Sequence, residues 1–251
     1  MKILNTRSIR SNKKKHLGLV RYALGVESLP ENMRILDWGG NVGYLLRDGM
    51  ASNEIHPSNY TCVDVDQVVL ELSRLEIPEA NWIFRPVAST IYSSLEQDLE
   101  DIELIDNYYD FVFAYNVFNH TLNSRYLDDL DKLLAATKPG GKLLISFVSP
   151  LNAYFYLMPR RKEQYGCVEC TTDDLKNIKD YMYFVNNGVL VKDLSELQKD
   201  NIKHFINIQN MRWLEKLYTF KSNISEFCYI DGMEYDNSNA TVSSFLLTKG
   251  A

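Results

Sequence analysis

Cysteine is scarce in this chain, with four residues at positions 62, 167, 170 and 228 in a length of 251. Only Cys167 and Cys170 form a close pair, and a structural zinc site needs four ligands, so a zinc module is excluded. Thiols this scattered suit a reduced, cytoplasmic protein better than a disulfide scaffold. Cys62, inside an apolar run, reads as a small packing hydrophobe. Histidine is equally sparse at four residues, and no paired acidic or histidine ligands stand at a clear spacing, so no metal is expected. Long hydrophobic runs are missing. No stretch reaches the roughly 18 apolar residues of a membrane span, and Met1 to Lys15 lacks the apolar core of a signal peptide, so no membrane partner is expected. Positive charge is also short. A net charge of −6 disfavours nucleic acid as a partner, because binding phosphates needs a basic face. One local exception exists: Lys2, Arg7, Arg10, Lys13, Lys14 and Lys15 precede the first acidic residue, Glu27, and read as a mobile or helix-capping arm.

What is present is an ordinary globular composition, 45% hydrophobic, enough for one α/β domain with an insertion. A short helix is expected over His16 to Gly25. From Met33 onward, β-rich runs alternate with helical patterns, the mark of a parallel sheet built from βαβ units. Strands are expected at 34–37, 60–65, 82–85, 111–115 and 142–148, with helices at about 44–51, 67–75 and 124–137. Leu127, Leu130, Leu133 and Leu134 mark the inward face of the last of these helices. Lys138-Pro139-Gly140-Gly141 reads as its stop. The acidic stretch from Glu96 to Asp106 carries Leu95, Leu99, Ile102 and Ile105 at helical spacing, which predicts an amphipathic helix with a solvated acidic face. Residues 149–200 are tyrosine-rich without a clear period and read as an insertion or lid. A helix over Ile206 to Leu217 and two strands, 226–231 and 241–248, close the chain. The divisions are thus a basic arm and helix (1–30), a core (31–150), an insertion (151–200) and a closing helix with two strands (201–251).

The most informative stretch is Ile35-Leu36-Asp37-Trp38-Gly39-Gly40-Asn41-Val42-Gly43-Tyr44, a hydrophobic strand running through glycines into a helix. Such a turn lets backbone approach a ligand at the carboxyl end of a parallel sheet. Dinucleotide loops place glycines at offsets 0, 2 and 5. Here Gly39, Gly40 and Gly43 fall at 0, 1 and 4, and no lysine follows to make a P-loop. The turn resembles the first motif of class I S-adenosylmethionine-dependent methyltransferases, acidic-x-Gly-x-Gly-x-Gly, through Asp37, Gly39 and Gly43. Asn41 replaces the middle glycine, and asparagine tolerates a left-handed backbone. Asp110 opening a fourth strand, and Lys138-Pro139-Gly140-Gly141-Lys142 before a fifth, are similar to further family elements. The resemblance covers residues 30 to 150 well and the closing elements loosely.

The resemblance implies a Rossmann-like α/β fold with a seven-stranded, mostly parallel sheet flanked by helices, plus the inserted lid. It also implies S-adenosylmethionine as cofactor and methyl transfer to an oxygen or nitrogen of a small-molecule acceptor. Asp37, Gly39, Gly40, Asn41 and Gly43 would meet the cofactor's amino-acid portion, although Asp37 also suits a turn cap. A carboxylate at the end of the second strand would bind the ribose diol. Asp64 is the first choice, and Asp66 is its rival or the cap of the next helix. The adenine-side carboxylate common in the family is missing, which leaves Ser89 or a backbone carbonyl. Tyr115 and Asn116 would line the pocket. His120, just past the fourth strand, is a base for the acceptor or a histidine held by loop backbone. Tyr154, Tyr156 and Arg160 would bind the acceptor, or else form the insertion's own core and a solvated basic loop. Alternatives are aminocarboxypropyl transfer with release of methylthioadenosine, a non-catalytic module of the same fold, and, less favoured, a nicotinamide enzyme. A homodimer is the assembly allowed for.

Overall fold

The computed structural model describes residues 2–4, 15–86, 101–154, 170–185, 189–194, 205–219, 224–230 and 243–250. Its strands in chain order are β1 (Lys2–Leu4), β2 (Ile35–Trp38), β3 (Tyr60–Asp64), β4 (Asn81–Phe84), β5 (Tyr109–Ala114), β6 (Thr137–Phe147), β7 (Tyr181–Val185), β8 (Leu190–Val191), β9 (Phe205–Gln209), β10 (Ile224–Ile230) and β11 (Ser243–Lys249). The helices are α1 (Lys15–Leu24), α2 (Tyr44–Met50), α3 (Gln67–Glu76), α4 (Asn123–Ala136), the single turn α5 (Pro150–Asn152), α6 (Thr172–Lys176) and α7 (Met211–Thr219).

Eight strands form the main sheet in the order β1-β10-β11-β6-β5-β2-β3-β4. Seven are those the sequence calls for, and β11 alone runs antiparallel to both its neighbours. The eighth is β1, which pairs in parallel with β10, so the first residues of the expected basic arm are an edge strand. The central strands are mostly apolar because both faces are covered, and every residue of β2 and β3 is buried, Asp37 and Asp64 included. Alternation along β5 divides the core. Phe111 and Phe113 join Leu17, Val20, Leu45, Leu70 and Trp82 on the face under α1, α2 and α3. Val112 and Ala114 join Leu36, Tyr126, Leu130, Leu214 and Phe245 on the face under α4 and α7.

Several local expectations are revised. The face of α4 is Tyr126, Asp129, Leu130, Leu133 and Leu134, while Leu127 faces outward. Asp129 sits inward because Arg85, after β4, meets it at 2.6 Å and also pairs with Asp101 at 2.7 Å. The same guanidinium lies 4.4 Å above the Trp38 ring. Residues 101–105 are irregular where a helix was expected. Ile102 and Leu104 pack inward at a spacing of two while Ile105 is exposed, and Asp101, itself at the surface, is tied to Arg85 and Lys132. The Lys138-Pro139-Gly140-Gly141 stretch does not precede its strand but lies inside β6, where the register against β5 shifts and Gly140 takes φ +75°. Such a bulge lets a proline sit in a strand without breaking the ladder beyond it.

The expected helix over 206–217 is instead β9 followed by α7. Asn210 makes the break: its Oδ1 accepts from Arg212 N at 2.9 Å, and its own N–H donates to Asp180 O at 2.7 Å. Strands β7 and β8 of the insertion form, with β9, which follows it, a small antiparallel sheet ordered β8-β7-β9. Its core gathers Val148, Ala153, Leu175, Ile178, Phe184 and Ile208. A parallel bridge from Val148 to Ile208 ties it to the end of β6.

Candidate active site at the carboxyl edge of the sheet

The chain leaves β2 through a turn that sequence alone shapes. Gly39, Asn41 and Gly43 all adopt left-handed φ, at +75°, +51° and +72°. Asparagine is among the residues that bear this conformation, so the Asn41 departure from the glycine pattern leaves the turn's backbone intact. Gly43 caps α2, and Arg47 N returns to its carbonyl at 3.0 Å. Gly40 is required by packing. A Cβ there would stand 2.7 Å from Asp37 Cγ and 2.8 Å from Cys62 Sγ, so only a hydrogen lets the backbone cross the Asp37 carboxyl.

Asp37 is 4% exposed and accepts the hydroxyl of Tyr60, which is also buried. Burial pushes its carboxyl up to about 7, against the opposing pull of the Tyr60 hydrogen bond. Asp64 ends β3 and joins the two corners of the site: its Oδ2 accepts from Asn41 N at 2.8 Å and its Oδ1 from Asp66 N at 2.9 Å. Asp66 is exposed and caps α3, accepting from Val69 N at 3.1 Å. Each Asp64 oxygen keeps a lone pair beyond its backbone amide.

Across from this corner, Tyr115 stacks on Phe113 with ring centroids 5.7 Å apart and planes 2° apart. His16, at the start of α1, packs edge-on to Tyr115 at 5.5 Å and to Phe113 at 5.8 Å, and reaches Tyr44 at 5.8 Å. These rings make an aromatic wall beside the glycine turn. Asn116 follows with φ +61°, solvent-exposed, its Oδ1 accepting from Asn119 Nδ2 at 2.8 Å. His120 closes a 3-10 turn (Phe118–His120), with its Nε2 3.3 Å from Asn119 Nδ2. Val117, in the same loop, fills the space a side chain on Gly39 would take.

The structure therefore brings Asp37, Gly39, Gly40, Asn41, Gly43, Asp64, Tyr115, Asn116 and His120 to one edge of the sheet, with Asp66 at its rim. Tyr154 is 43% exposed at the end of α5. Ser89, Tyr156 and Arg160 lie outside the described residues. Sequence reasoning passed over His16, Tyr44, Tyr60 and Arg85. Tyr60 was legible only as a strand residue, and His16 as a polar position in a short helix. Among the described residues no cluster of three or more His, Cys, Asp or Glu side chains could hold a metal, and no helix is long and apolar enough to cross a membrane.

Parallel sheet, antiparallel β11 between β10 and β6, and glycine turn at the switch between β2 and β5 define the fold of class I S-adenosylmethionine-dependent methyltransferases. Residues 36–145 match the model of the methyltransferase-domain family. No curated protein matches the chain. Among solved structures it is similar to 1,6-didemethyltoxoflavin-N1-methyltransferase of Burkholderia thailandensis, at 12% identity and TM-score 0.53, over 96% of this chain and 80% of that one. It is also similar to the PH0226 protein of Pyrococcus horikoshii, at 13% identity and TM-score 0.52, over 98% and 92%. The CurJ carbon methyltransferase shares 12% identity and TM-score 0.52, over 95% of this chain and 54% of that one. Identities this low establish the shared fold.

Proposed function

We propose that this protein transfers a methyl group from S-adenosylmethionine to an oxygen or nitrogen of a small molecule. The observation that carries the proposal is the turn from Asp37 to Gly43, with three left-handed residues on alternate positions and its Asn41 amide held by Asp64. The donor set fits the cofactor. Asp64 offers two carboxylate oxygens to a ribose diol, and Asp66 stands nearby as a helix cap. The turn backbone accommodates the amino-acid portion, and Asp37, buried with Asp64 close enough to raise its proton affinity, favours a nearby ammonium. The rings of His16, Tyr44 and Tyr115 suit a sulfonium, which is attracted to aromatic faces.

When bound, the cofactor supplies a carbon already activated by positive sulfur. What remains for the chain is alignment, exclusion of water and, for some acceptors, removal of a proton. Asn116 and His120 stand on the acceptor side, and His120 is the group proposed to take that proton. The small sheet β7–β9, continuing from β6, is proposed as the cover of the acceptor together with Tyr154, Tyr156 and Arg160.

The test is product analysis. The purified protein is incubated with methyl-labelled S-adenosylmethionine and pooled small-molecule acceptors. The expected products are S-adenosylhomocysteine and a labelled acceptor. Methylthioadenosine without S-adenosylhomocysteine would assign aminocarboxypropyl transfer instead, and neither product would leave a binding module.

A further inference from the structure

Between the end of β6, the 118–120 turn and β9 lies a group of buried carboxamides whose hydrogen-bonding capacity is unspent. Gln209 is fully buried, yet neither its Oε1 nor its Nε2 has a partner. Asn207, also fully buried, gives its Nδ2 to Thr121 O at 3.2 Å and leaves its Oδ1 unpaired. Asn152 is fixed in orientation because its Oδ1 accepts from Ser149 N, Ser149 Oγ and Ser243 Oγ, and its Nδ2 is left over. Asn119 spends its Nδ2 on Asn116 and keeps a buried, unpaired Oδ1.

Contiguity follows from the chain itself. Ile208 pairs with Val148 and packs into the insertion's core, so Asn207 and Gln209 project from the opposite face of β9. Gln209 N donates to Val148 O, one residue before Ser149, which holds Asn152. Thr121, the partner of Asn207, follows directly on the turn that carries Asn119 and His120.

Buried polar atoms are nearly always paired, and each orphan costs stability. Several such orphans lie together between the 118–120 turn, β9 and the end of β6, a place where a ligand could satisfy them. We infer that Asn119, Asn152, Asn207 and Gln209 recognise an uncharged, planar acceptor bearing adjacent N–H and C=O groups, a lactam, ureide or amide-type heterocycle. The inference rests on the methyltransferase proposal and names its substrate class. The unspent acceptors (Asn119 Oδ1, Asn207 Oδ1, Gln209 Oε1) call for N–H groups on the ligand. The unspent donors (Asn152 Nδ2, Gln209 Nε2) call for a carbonyl or ring nitrogen. Carboxamides carry no charge, so an ion would be left buried without a counter-charge from them. A site built of such groups discriminates strongly, because a ligand lacking the matching N–H leaves the protein's atoms unpaired again.

Gln209→Leu, apolar and of broadly similar bulk, tests this in two ways. Without ligand, the variant should melt at or above the wild-type temperature, because it removes two orphaned atoms and no protein hydrogen bond. A clear drop would mean that the amide serves an internal structural network, which overturns the inference. Wild-type protein saturated with S-adenosylhomocysteine is then titrated calorimetrically with uracil, hypoxanthine and nicotinamide, with benzoate and benzylamine as charged controls. At least one neutral heterocycle should bind, and Gln209→Leu should weaken it tenfold or more while affinity for S-adenosylhomocysteine stays unchanged. Binding of the charged probes only, or of none, overturns the inference. Failure of S-adenosylhomocysteine itself to bind wild-type protein would instead strike the methyltransferase proposal.

Discussion

The two halves of the site are finished to different degrees. On the proposed cofactor side the three carboxylates accept hydrogen bonds from the chain itself: Asp64 from Asn41 and Asp66, Asp66 from Val69, and Asp37 from Tyr60. On the acceptor side the carboxamides of Asn119, Asn152, Asn207 and Gln209 are buried with atoms unpaired. The carboxylates of the first half are held in place by backbone and side-chain donors before any ligand arrives. The second is left incomplete, at a cost in stability that a ligand would offset. Substitutions should therefore mostly lower stability or cofactor affinity on one side, and should relieve strain on the other.

The largest effect is expected at Arg85, which braces the cofactor half from beneath. Its guanidinium covers Trp38 and pairs with Asp129, which is 2% exposed. Arg85→Ala leaves a buried carboxylate without its partner and should cost about 3–5 kcal/mol, read as a fall in the denaturant midpoint. Gly40→Val comes next. Its side chain would press on the Asp37 carboxyl and Cys62, costing about 1–3 kcal/mol by overpacking, with loss of cofactor binding in a titration. Asp64→Asn should keep the fold and weaken S-adenosylhomocysteine by about 1–3 kcal/mol, the loss of a charged acceptor for the ribose.

A pH series sharpens the comparison further. The Asp37 carboxyl rises from 3.8 to about 7 in the fold, mainly through burial. Between those values the folded chain keeps a proton that the unfolded chain releases. Stability from this group is therefore greatest at low pH and is lost as pH rises from about 4 to about 7. Cofactor affinity should move the other way, strengthening as Asp37 ionises beside the cofactor's ammonium. Asp37→Asn should flatten both trends, in thermal melts between about pH 4 and 7 and in titrations spanning about pH 7, windows set by that shift.

How far the sequence spoke also differs between the halves. The glycine turn, the strands around it and the Asp66 cap are local features, encoded by spacing over a few residues, and they lie where the spacing puts them. The acceptor side depends on contacts distant in sequence. Phe205-Ile206-Asn207-Ile208-Gln209 alternates like a strand but runs straight into the α7 pattern, so the two merge into one helical reading until Asn210 is seen capping the second. The acidic stretch failed for a similar reason. Asp101 is claimed by Arg85 and Lys132, partners 16 and 31 residues away, and no local periodicity announces that. His16 reaches the site only because α1 folds back across β5, a tertiary fact absent from its own helix.

The most direct measurement is calorimetric titration of the full chain with S-adenosylhomocysteine, with NAD alongside, repeated on Asp64→Asn and Gln209→Leu. The expected result is one micromolar site for S-adenosylhomocysteine and none for NAD, weakened by Asp64→Asn and untouched by Gln209→Leu. Absence of binding, preference for NAD, or equal losses in both variants would contradict a cofactor half that is complete and separate from the acceptor half.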